Sequence, residues 1–203
     1  GLKPIASGAE RDPEGRLRNA DALALQAAAS VARTYEQVNP YCFEPAIAPH
    51  LAAAEAGRPI AIEALVEWYG HASAGADIAL VEGAGGWRVP LHPLGFLSDL
   101  PEQLGLGVVL VVGLTLGCLN HARLTVEAIE HAGRCPFLGW IGNRIDPGFE
   151  RLDDNLHSLE RLLGGPALAL VPAAGPDPDP ARLSGHLTGP VMQRAVRQML
   201  DRR

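Results

Sequence analysis

Two short segments of the sequence combine charged or hydroxyl side chains with glycine in a way that suits anion binding. Residues 3–8 carry one cation (Lys3), one hydroxyl (Ser7) and one glycine, and residues 82–86 read Glu-Gly-Ala-Gly-Gly. Glycine lets the backbone approach a bulky anion and tolerates positive φ. A carboxylate such as Glu82 at the end of a buried strand can hold Mg²⁺, a hard ion that needs oxygen ligands. Each segment on its own also fits an ordinary turn.

Lys3 is the only lysine in the sequence, and every other basic residue except the histidines is arginine. An ammonium is a compact point charge on a flexible stem, whereas a guanidinium is a planar fork. A composition so biased toward arginine keeps a lysine where arginine cannot replace it. This favours a chemical role for Lys3.

Three further positions have both a chemical and a structural interpretation. Asp21 stands at the start of a predicted helix, where it stabilises the helix end or serves as a second metal ligand. Asn143 ends a predicted strand, where its amide can pair with an adenine edge or cap a turn. Residues 117–120 open a helix whose free N–H groups can bind carboxylate or phosphate, and the adjacent His121 is assigned no chemistry. The residues alone leave these alternatives open.

The elements that must position these residues are short apolar runs that alternate with segments of helical spacing. The runs are continuous and too short for helices, which is typical of a parallel sheet covered on both faces. Strands are predicted at residues 76–81, 108–113, 137–142 and 167–171, and helices at residues 20–33, 60–74, 119–131, 150–163 and 190–202. This order predicts a doubly wound α/β fold that binds ligands at the carboxyl ends of its strands. A surface loop is expected at residues 172–180, within a single domain over residues 1–203.

Composition argues against several other classes of protein. The net charge of −6 disfavours a nucleic-acid binder, which needs a clustered basic surface. No apolar run approaches the ~20 residues that cross a bilayer, and no signal peptide is recognised, so we expect no membrane partner. Cys42, Cys118 and Cys135 lie far apart without a C-x-x-C pair, which is typical of reduced thiols in a cytoplasmic protein.

Six motifs in a fixed order resemble the dethiobiotin synthetase family. In chain order they are K-P-I-A-S-G, R-N-A-D-A-L-A-L, V-N-P-Y with P-H, V-E-G-A-G-G-W, L-G-C-L-N-H-A and G-W-I-G-N. Any one of them is weak, but together they extend over residues 1 to about 172. Their common order makes the resemblance specific.

The resemblance implies ATP- and Mg²⁺-dependent chemistry on a mostly parallel fold of the P-loop NTPase type. Members of the family add CO₂ to 7,8-diaminopelargonate and close the cyclic urea of dethiobiotin, giving ADP and phosphate. One substrate amine forms a carbamate, the carbamate takes the γ-phosphoryl group as a mixed anhydride, and the second amine displaces phosphate. The protein then contributes mainly positioning and charge neutralisation. A cytoplasmic homodimer is also implied.

The resemblance further implies roles for individual residues. Lys3 is the expected catalytic residue, beside the carbamate and the transferred phosphoryl group, and Asp21 and Glu82 are the expected Mg²⁺ ligands. Ser7 is the expected substrate contact, and the helix start at Gly117, Cys118, Leu119 and Asn120 is expected against the substrate carboxylate of the neighbouring subunit. The expected nucleotide contacts are Asp21, Glu82, Gly83, Ala84, Gly85, Asn143, Arg144, Pro172, Ala173, Ala174 and Asp179.

Two features depart from the family pattern. The loop G-x-x-x-x-x-G-K-T, which precedes K-P-x-A-S-G in the family, has no counterpart in these residues. We therefore expect an N-terminally truncated chain without the first strand, the P-loop and the first helix of the fold. Such a chain is expected to be inactive and poorly folded alone, since an uncovered strand slot can cost more than the ~5–15 kcal/mol that holds a domain together. In addition, Asn155 stands where an aromatic hydroxyl is expected near the substrate carboxylate.

Three other functions remain open at this level. Another P-loop amidoligase, such as the cobyrinic acid a,c-diamide synthase type, shares the fold but usually adds a glutaminase domain, for which 203 residues leave no room. A partitioning-type ATPase that binds DNA or membrane is disfavoured by the negative net charge. A catalytically dead nucleotide-binding or scaffold protein is the third alternative, and it follows from the absent loop.

Overall fold

Parallel strand pairing, predicted from the continuous apolar runs, occurs in both halves of the chain. The computed structural model describes residues 1–93, 95–175 and 179–200, and the chain divides into two compact units, Gly1–Leu104 and Gly105–Arg203. Each unit combines parallel strands with helices. The predicted α/β class is confirmed, whereas a single domain over residues 1–203 stays a prediction.

The first unit is built from short strands and helices. In chain order its elements are β1 (Ile5–Ala6), β2 (Glu10–Arg11), β3 (Leu17–Arg18), α1 (Ala20–Ala28), α2 (Tyr35–Val38), β4 (Tyr41–Cys42), α3 (Pro49–Glu55), α4 (Ile62–Ala72), β5 (Pro90–His92), β6 (Gly95–Phe96) and α5 (Asp99–Leu104). Strand β1 pairs in parallel with β4, whereas β2 with β3 and β5 with β6 form antiparallel pairs. The antiparallel pairs were not predicted, because strands of two or three residues carry no readable periodicity.

The strand predicted at residues 76–81 is wrong in extent. Only Val81 forms a bridge, in parallel with Leu2, through hydrogen bonds from Leu2 N–H to Leu80 O (2.8 Å) and from Glu82 N–H to Leu2 O (2.9 Å). A strand is defined by a ladder of such bonds, and among the described residues this segment has a bridge on one side only. Leu80 is accordingly 64% exposed, although an apolar run predicts burial. The bridge nevertheless places Glu82 beside the chain that carries Lys3.

The core of the first unit packs its helices around β1. Ile5, Leu65 and Leu100 are almost completely buried within one apolar cluster. A smaller cluster of Ala22, Tyr35 and Val38 packs α1 against α2. These contacts fix the start of α1 relative to the chain that carries Lys3.

Helix α1 ends at Ala28, although helical spacing predicts it to residue 33. The backbone is already extended at Ala29 (φ −75°, ψ 136°), and α2 begins separately with its own cap. The Thr34 side chain accepts a hydrogen bond from Gln37 N–H while the Gln37 side chain accepts from Thr34 N–H, and this capping box requires extended backbone at Thr34 (φ −68°, ψ 161°). The chain must therefore leave α1 before it reaches α2.

The second unit follows the predicted order of strands and helices. Its elements are β7 (Val108–Gly113), α6 (Cys118–Ala132), β8 (Phe137–Asn143), α7 (Leu152–Leu162), β9 (Ala169–Val171), α8 (Pro180–Ser184), a 3₁₀ turn at Gly185–Leu187, and α9 (Pro190–Leu200). The three strands form one parallel sheet in the order β7-β8-β9. Trp140, Val126 and Leu159 are buried between this sheet and helices α6 and α7.

Two sequence predictions reach beyond the described residues. Pro176, Asp177 and Pro178 lie within the predicted loop at residues 172–180, and residues 201–203 include the predicted end of the last helix. Among the described residues, Asp179 and Pro180 begin α8 and so end that loop. None of the helices in residues 1–93, 95–175 and 179–200 is both long enough and apolar enough to cross a membrane.

Candidate active site

Lys3 lies just before β1 and is buried, with 5% of its surface exposed. Its backbone N–H donates to Val38 O (2.9 Å), and its carbonyl oxygen accepts from Asn39 Nδ2 (2.7 Å). The adjoining Leu2 and Pro4 are also buried. The main chain at Lys3 is thus fixed before its side chain makes any contact.

The Lys3 ammonium meets three oxygen acceptors. Nζ lies 2.9 Å from Asp21 Oδ2, 2.9 Å from Glu82 Oε1 and 3.1 Å from the Gly83 carbonyl oxygen. The contacts with Glu82 and Gly83 are hydrogen bonds, and the contact with Asp21 is an ion pair. One cation and two carboxylates leave a formal charge of −1. Three residues that the sequence picked out separately are therefore joined at one point.

The position of Asp21 combines the two interpretations that the sequence left open. Asn19 caps α1, since its side chain accepts a hydrogen bond from Ala22 N–H (3.2 Å), and Asp21 lies in the first turn. An acid there is stabilised by the positive end of the helix dipole. Because Asn19 does the capping, the Asp21 carboxylate remains available for Lys3.

The glycines after Glu82 shape the loop that faces Lys3. Gly85 has φ +83°, and a Cβ at this position would lie 2.9 Å from Val89 Cγ2. Both the left-handed backbone and the close contact require glycine. The Gly83 carbonyl points to Lys3 Nζ because the loop turns immediately after Glu82.

A cavity of about 470 Å³ opens next to Lys3 within the first unit. Its charged and polar lining comes from Lys3, Ser7, Asn19 and Asp21, and its apolar lining includes Ile47, Pro49, Val89 and Pro90. Ser7 Oγ is buried without a hydrogen-bond partner among the described residues. Buried hydroxyls normally have a partner, so this oxygen is free to contact a ligand in the cavity. The cavity suits a small molecule with polar groups and an aliphatic segment.

The described residues contain no cluster of three or more His, Cys, Asp or Glu side chains that could hold a metal ion. Asp21 and Glu82 form a pair instead, and their side chains are 55% and 48% exposed. Mg²⁺ is usually bound by one or two carboxylates together with water and substrate phosphate. The donor set therefore fits Mg²⁺ and does not fit an all-protein metal cage.

The adenine-site candidates of the second unit meet at one edge of its sheet. Asn143 ends β8 and pairs with Val171, the last residue of β9, so the following residues Arg144 and Pro172–Ala174 begin side by side. Arg144 N–H donates to Val171 O (2.9 Å). Asp179, in contrast, caps α8 by accepting from Ala181 N–H (2.9 Å). Residues 143–144 and 172–174 thus follow two neighbouring strands at one edge of the sheet, whereas their role at adenine stays a prediction.

The helix start at residues 117–120 has the backbone that an anion site needs. Gly117 has φ +97° and precedes α6, which has no side-chain cap. Cys118 and Leu119 pack into the core of the unit, so only their main-chain groups can face a ligand, and Cys118 N–H already donates to Thr115 O (3.0 Å). Asn120 is exposed. The side chain of Asn155 in α7 donates through Nδ2 to the carbonyl oxygen of Arg151, the residue just before that helix (2.9 Å).

Two buried polar residues behind Lys3 were not predicted. Asn39 is 2% exposed and Tyr35 is 7% exposed, and the Tyr35 hydroxyl donates to Asn39 Oδ1 (3.0 Å). Burial raises the pKa of Tyr35 above its ordinary value. The motif V-N-P-Y includes Asn39, but its sequence alone gives no sign of a contact with Lys3.

Comparison with known proteins assigns this chain to a class of ATP-using proteins. A family model described as an AAA domain matches residues 2–176. The ATP-dependent dethiobiotin synthetase BioD of Pseudomonas paraeruginosa is 52% identical over 186 residues, which cover 91% of this chain and 80% of the relative. The BioD proteins of Chromohalobacter salexigens (50% identity, 94% and 84% covered) and Cellvibrio japonicus (49%, 85% and 75%) are similar. The chain belongs to the dethiobiotin synthetase family.

Proposed function

We propose that this protein catalyses the ATP-dependent formation of dethiobiotin from 7,8-diaminopelargonate and CO₂. The observation that carries the proposal is the Lys3 ammonium, held by Asp21 and Glu82 beside a cavity of about 470 Å³. The reaction requires a cation close to a carbamate and a phosphoryl group. The only lysine of the sequence stands at this point.

The role of Lys3 is to neutralise negative charge on the reacting oxygens. An ammonium that is already fixed in place stabilises developing charge without reorganising during the reaction. Ser7 Oγ, which lacks a protein partner among the described residues, donates to or accepts from the substrate diamine. The apolar wall near Ile47 and Val89 receives the aliphatic chain of the substrate.

ATP and Mg²⁺ are the cofactors of the proposed reaction. Asp21 and Glu82 would hold Mg²⁺, which supplies charge neutralisation for the phosphates. Each carboxylate contacts Lys3 through one oxygen, Asp21 Oδ2 or Glu82 Oε1, and its second oxygen would be the one to bind the metal. Gly83, Ala84 and Gly85 would contact the nucleotide. Contacts with adenine and ribose would come from Asn143, Arg144, Pro172, Ala173, Ala174 and Asp179.

The proposal includes a cytoplasmic homodimer. Backbone N–H groups at the start of α6 would bind the substrate carboxylate of the neighbouring subunit. Leu116, directly before this helix start, is 94% exposed and would be available to pack against a second subunit there. The negative net charge makes nucleic acid an unsuitable partner.

Replacement of the lysine tests the function directly in the complete product of the gene. We expect Lys3→Gln to lower kcat for dethiobiotin formation by roughly 10²–10³, because one pre-positioned charge at the reacting oxygens is lost. ATP- and bicarbonate-dependent formation of dethiobiotin is the quantity to measure. Arg16→Gln is the matched control, since Arg16 also pairs with two carboxylates, Asp12 and Glu14, but on the surface.

Two results would contradict the proposal. A folded protein that forms no dethiobiotin with all substrates present does not have this function. If Lys3→Gln lowers kcat no more than Arg16→Gln does, the protein can keep the function but Lys3 is not its catalytic residue.

A further inference from the structure

A ring of hydrogen bonds joins the main chain at Lys3 to the start of α1. The Tyr35 hydroxyl accepts from Asn19 N–H (2.7 Å) and donates to Asn39 Oδ1 (3.0 Å). Asn39 Nδ2 donates to the carbonyl oxygens of Lys3 (2.7 Å) and Tyr41 (3.1 Å). Asn19 in turn caps α1. The ring closes through the ion pair between the Lys3 ammonium and the first turn of this helix.

The direction of each bond in the ring follows from its neighbours. The amide of Asn39 must direct Nδ2 to two carbonyl oxygens, since a carbonyl cannot donate. Its Oδ1 therefore needs a donor, and the Tyr35 hydroxyl has a single proton to give. The remaining neighbour of the hydroxyl, Cys42 Sγ at 3.3 Å, must then be the donor in that contact. The hydroxyl is fully used, and it joins Asn19 to Asn39 through one hydrogen bond to each.

We propose that the Tyr35 hydroxyl is a positioning group that holds the Asp21 carboxylate against the Lys3 ammonium, and this rests on the proposed function of the Lys3 site. Tyr35 touches neither reacting group. It acts through Asn19, which sets where α1 begins, and through Asn39, which sets the main chain at Lys3. The two elements are separate in sequence and meet at this hydroxyl.

A purely structural role for the hydroxyl makes a different prediction. Tyr35 also packs on Ala22 and Val38, and the Arg18 guanidinium lies 4.2 Å from its ring centroid. These contacts involve the ring and survive in Tyr35→Phe. If the hydroxyl only stabilised the fold, its removal would change the chemical reactivity of Lys3 no more than any other substitution that destabilises the first unit equally.

The test is the rate at which acetyl N-hydroxysuccinimide modifies Lys3 in the complete product of the gene, followed by peptide mass spectrometry. Lys3 is the only lysine of these residues, so its peptide is unambiguous. We expect Tyr35→Phe to raise the rate roughly tenfold, the order of magnitude that the loss of one buried hydrogen bond produces. In an Asp21→Asn background, Tyr35→Phe should add less than about twofold, because coupled residues are not additive.

Two variants serve as controls. Cys42→Ala removes the other neighbour of the hydroxyl and should leave the rate unchanged, because Cys42 is linked to neither asparagine. Leu65→Ala removes a buried side chain of the same unit and reports what lost stability alone does to Lys3. Melting temperatures of all variants are measured in parallel. If Tyr35→Phe does not fold, Asn39→Ser breaks the same ring and carries the same expectation.

The proposal is overturned if Tyr35→Phe raises the acetylation rate of Lys3 no more than Leu65→Ala does at an equal melting temperature. It is also overturned if Tyr35→Phe raises that rate as much in the Asp21→Asn protein as in the protein that retains Asp21. Acetylation needs no turnover. The acetylation rate can therefore be measured even if the protein forms no dethiobiotin. A failure of the proposed function can thus be told apart from a failure of the positioning role of Tyr35.

Discussion

At the scale of single residues, the buried ammonium of Lys3 is balanced by carboxylates that remain in contact with water. Asp21 and Glu82 are each about half exposed, so solvent screens their attraction to Lys3. A buried charge is costly unless it is paired, and this one has two carboxylates and one carbonyl oxygen within 3.1 Å. The arrangement therefore contributes little to stability. Its consequence is a cation held ready beside the cavity, with carboxylate oxygens free to bind a metal.

The two carboxylates make a prediction about Mg²⁺. We expect Asp21→Asn and Glu82→Gln each to raise the Mg²⁺ concentration for half-maximal dethiobiotin formation by roughly tenfold or more, because Mg²⁺ loses one of its few anionic protein ligands. A Mg²⁺ titration at saturating ATP measures this. Glu63→Gln is the matched control, since Glu63 is exposed in the first turn of α4 and should have no effect. An unchanged requirement in both carboxylate variants contradicts the assignment.

At the scale of elements, the site depends on how β1 is held between two other segments. Its neighbour on one side is β4, in parallel register from Ile5 with Tyr41, and on the other side Leu2 bridges to Val81. The capping box at Thr34 turns the chain into α2 and so brings Tyr35 and Asn39 behind Lys3. Strands β1 and β4 have two residues each and helix α2 has four. The hydrogen bonds at their ends therefore determine the geometry of the site more than the intrinsic secondary-structure propensity of their residues does.

The contact between α2 and β4 predicts a loss of stability at alkaline pH. Burial raises the pKa of the Cys42 thiol above its ordinary value, partly opposed by the nearby guanidinium groups of Arg18 and Arg58. The folded chain thus favours the neutral thiol. The stability from this preference is present below about pH 9, the ordinary pKa of cysteine, and is lost as the pH rises through the folded pKa. Burial raises the pKa of Tyr35 in the same direction, starting from about 10.

The measurement is the melting temperature as a function of pH. We expect it to fall above about pH 9, and we expect the fall to be shallower in Cys42→Ala, which has no thiol to ionise. The same slope in both proteins would mean that Cys42 does not contribute. At neutral pH the variant should melt close to the parent protein, apart from the cost of the smaller side chain.

At the scale of the whole molecule, each of the two compact units has its own buried cluster. The Lys3 site lies entirely in the first unit, and the strand-end group around Asn143 lies in the second. The expectation that these 203 residues are inactive and poorly folded alone stays a prediction. ATP- and bicarbonate-dependent turnover by this chain at an ordinary rate for the family would contradict it.

The proposed homodimer makes a prediction about Leu116. We expect Leu116→Ser to raise the dimer dissociation constant roughly tenfold or more, because burial of a leucine side chain contributes about 1.5–3 kcal/mol. Sedimentation equilibrium over a range of concentrations measures the constant. Leu51→Ser is the control, since Leu51 is also exposed but lies on α3, far from this segment in sequence. Equal effects of the two substitutions, or a monomeric parent protein, would contradict the proposal.

Much of the local structure follows from the sequence by itself. Strands β7 and β8 and helices α4, α6, α7 and α9 lie within a few residues of their predicted bounds, because long apolar runs and helical spacing are local signals. The glycine at position 85 is likewise a local requirement, since only glycine readily adopts its positive φ. Asn143 lies at the end of its strand, as the apolar run before it predicts, whereas its role at adenine stays a prediction.

Other features were decided only by the tertiary structure. The bond from Lys3 to Glu82 spans 79 positions, and no local signal says which carboxylates meet the lysine. The run at residues 76–81 has strand-like composition, but pairing at one side alone leaves it a single bridge. Tyr35 and Asn39 became part of the site only when α2 packed behind β1. The sequence determined which groups are present and in what order. Packing and long-range hydrogen bonds determined which of them touch, because their partners are distant in the chain.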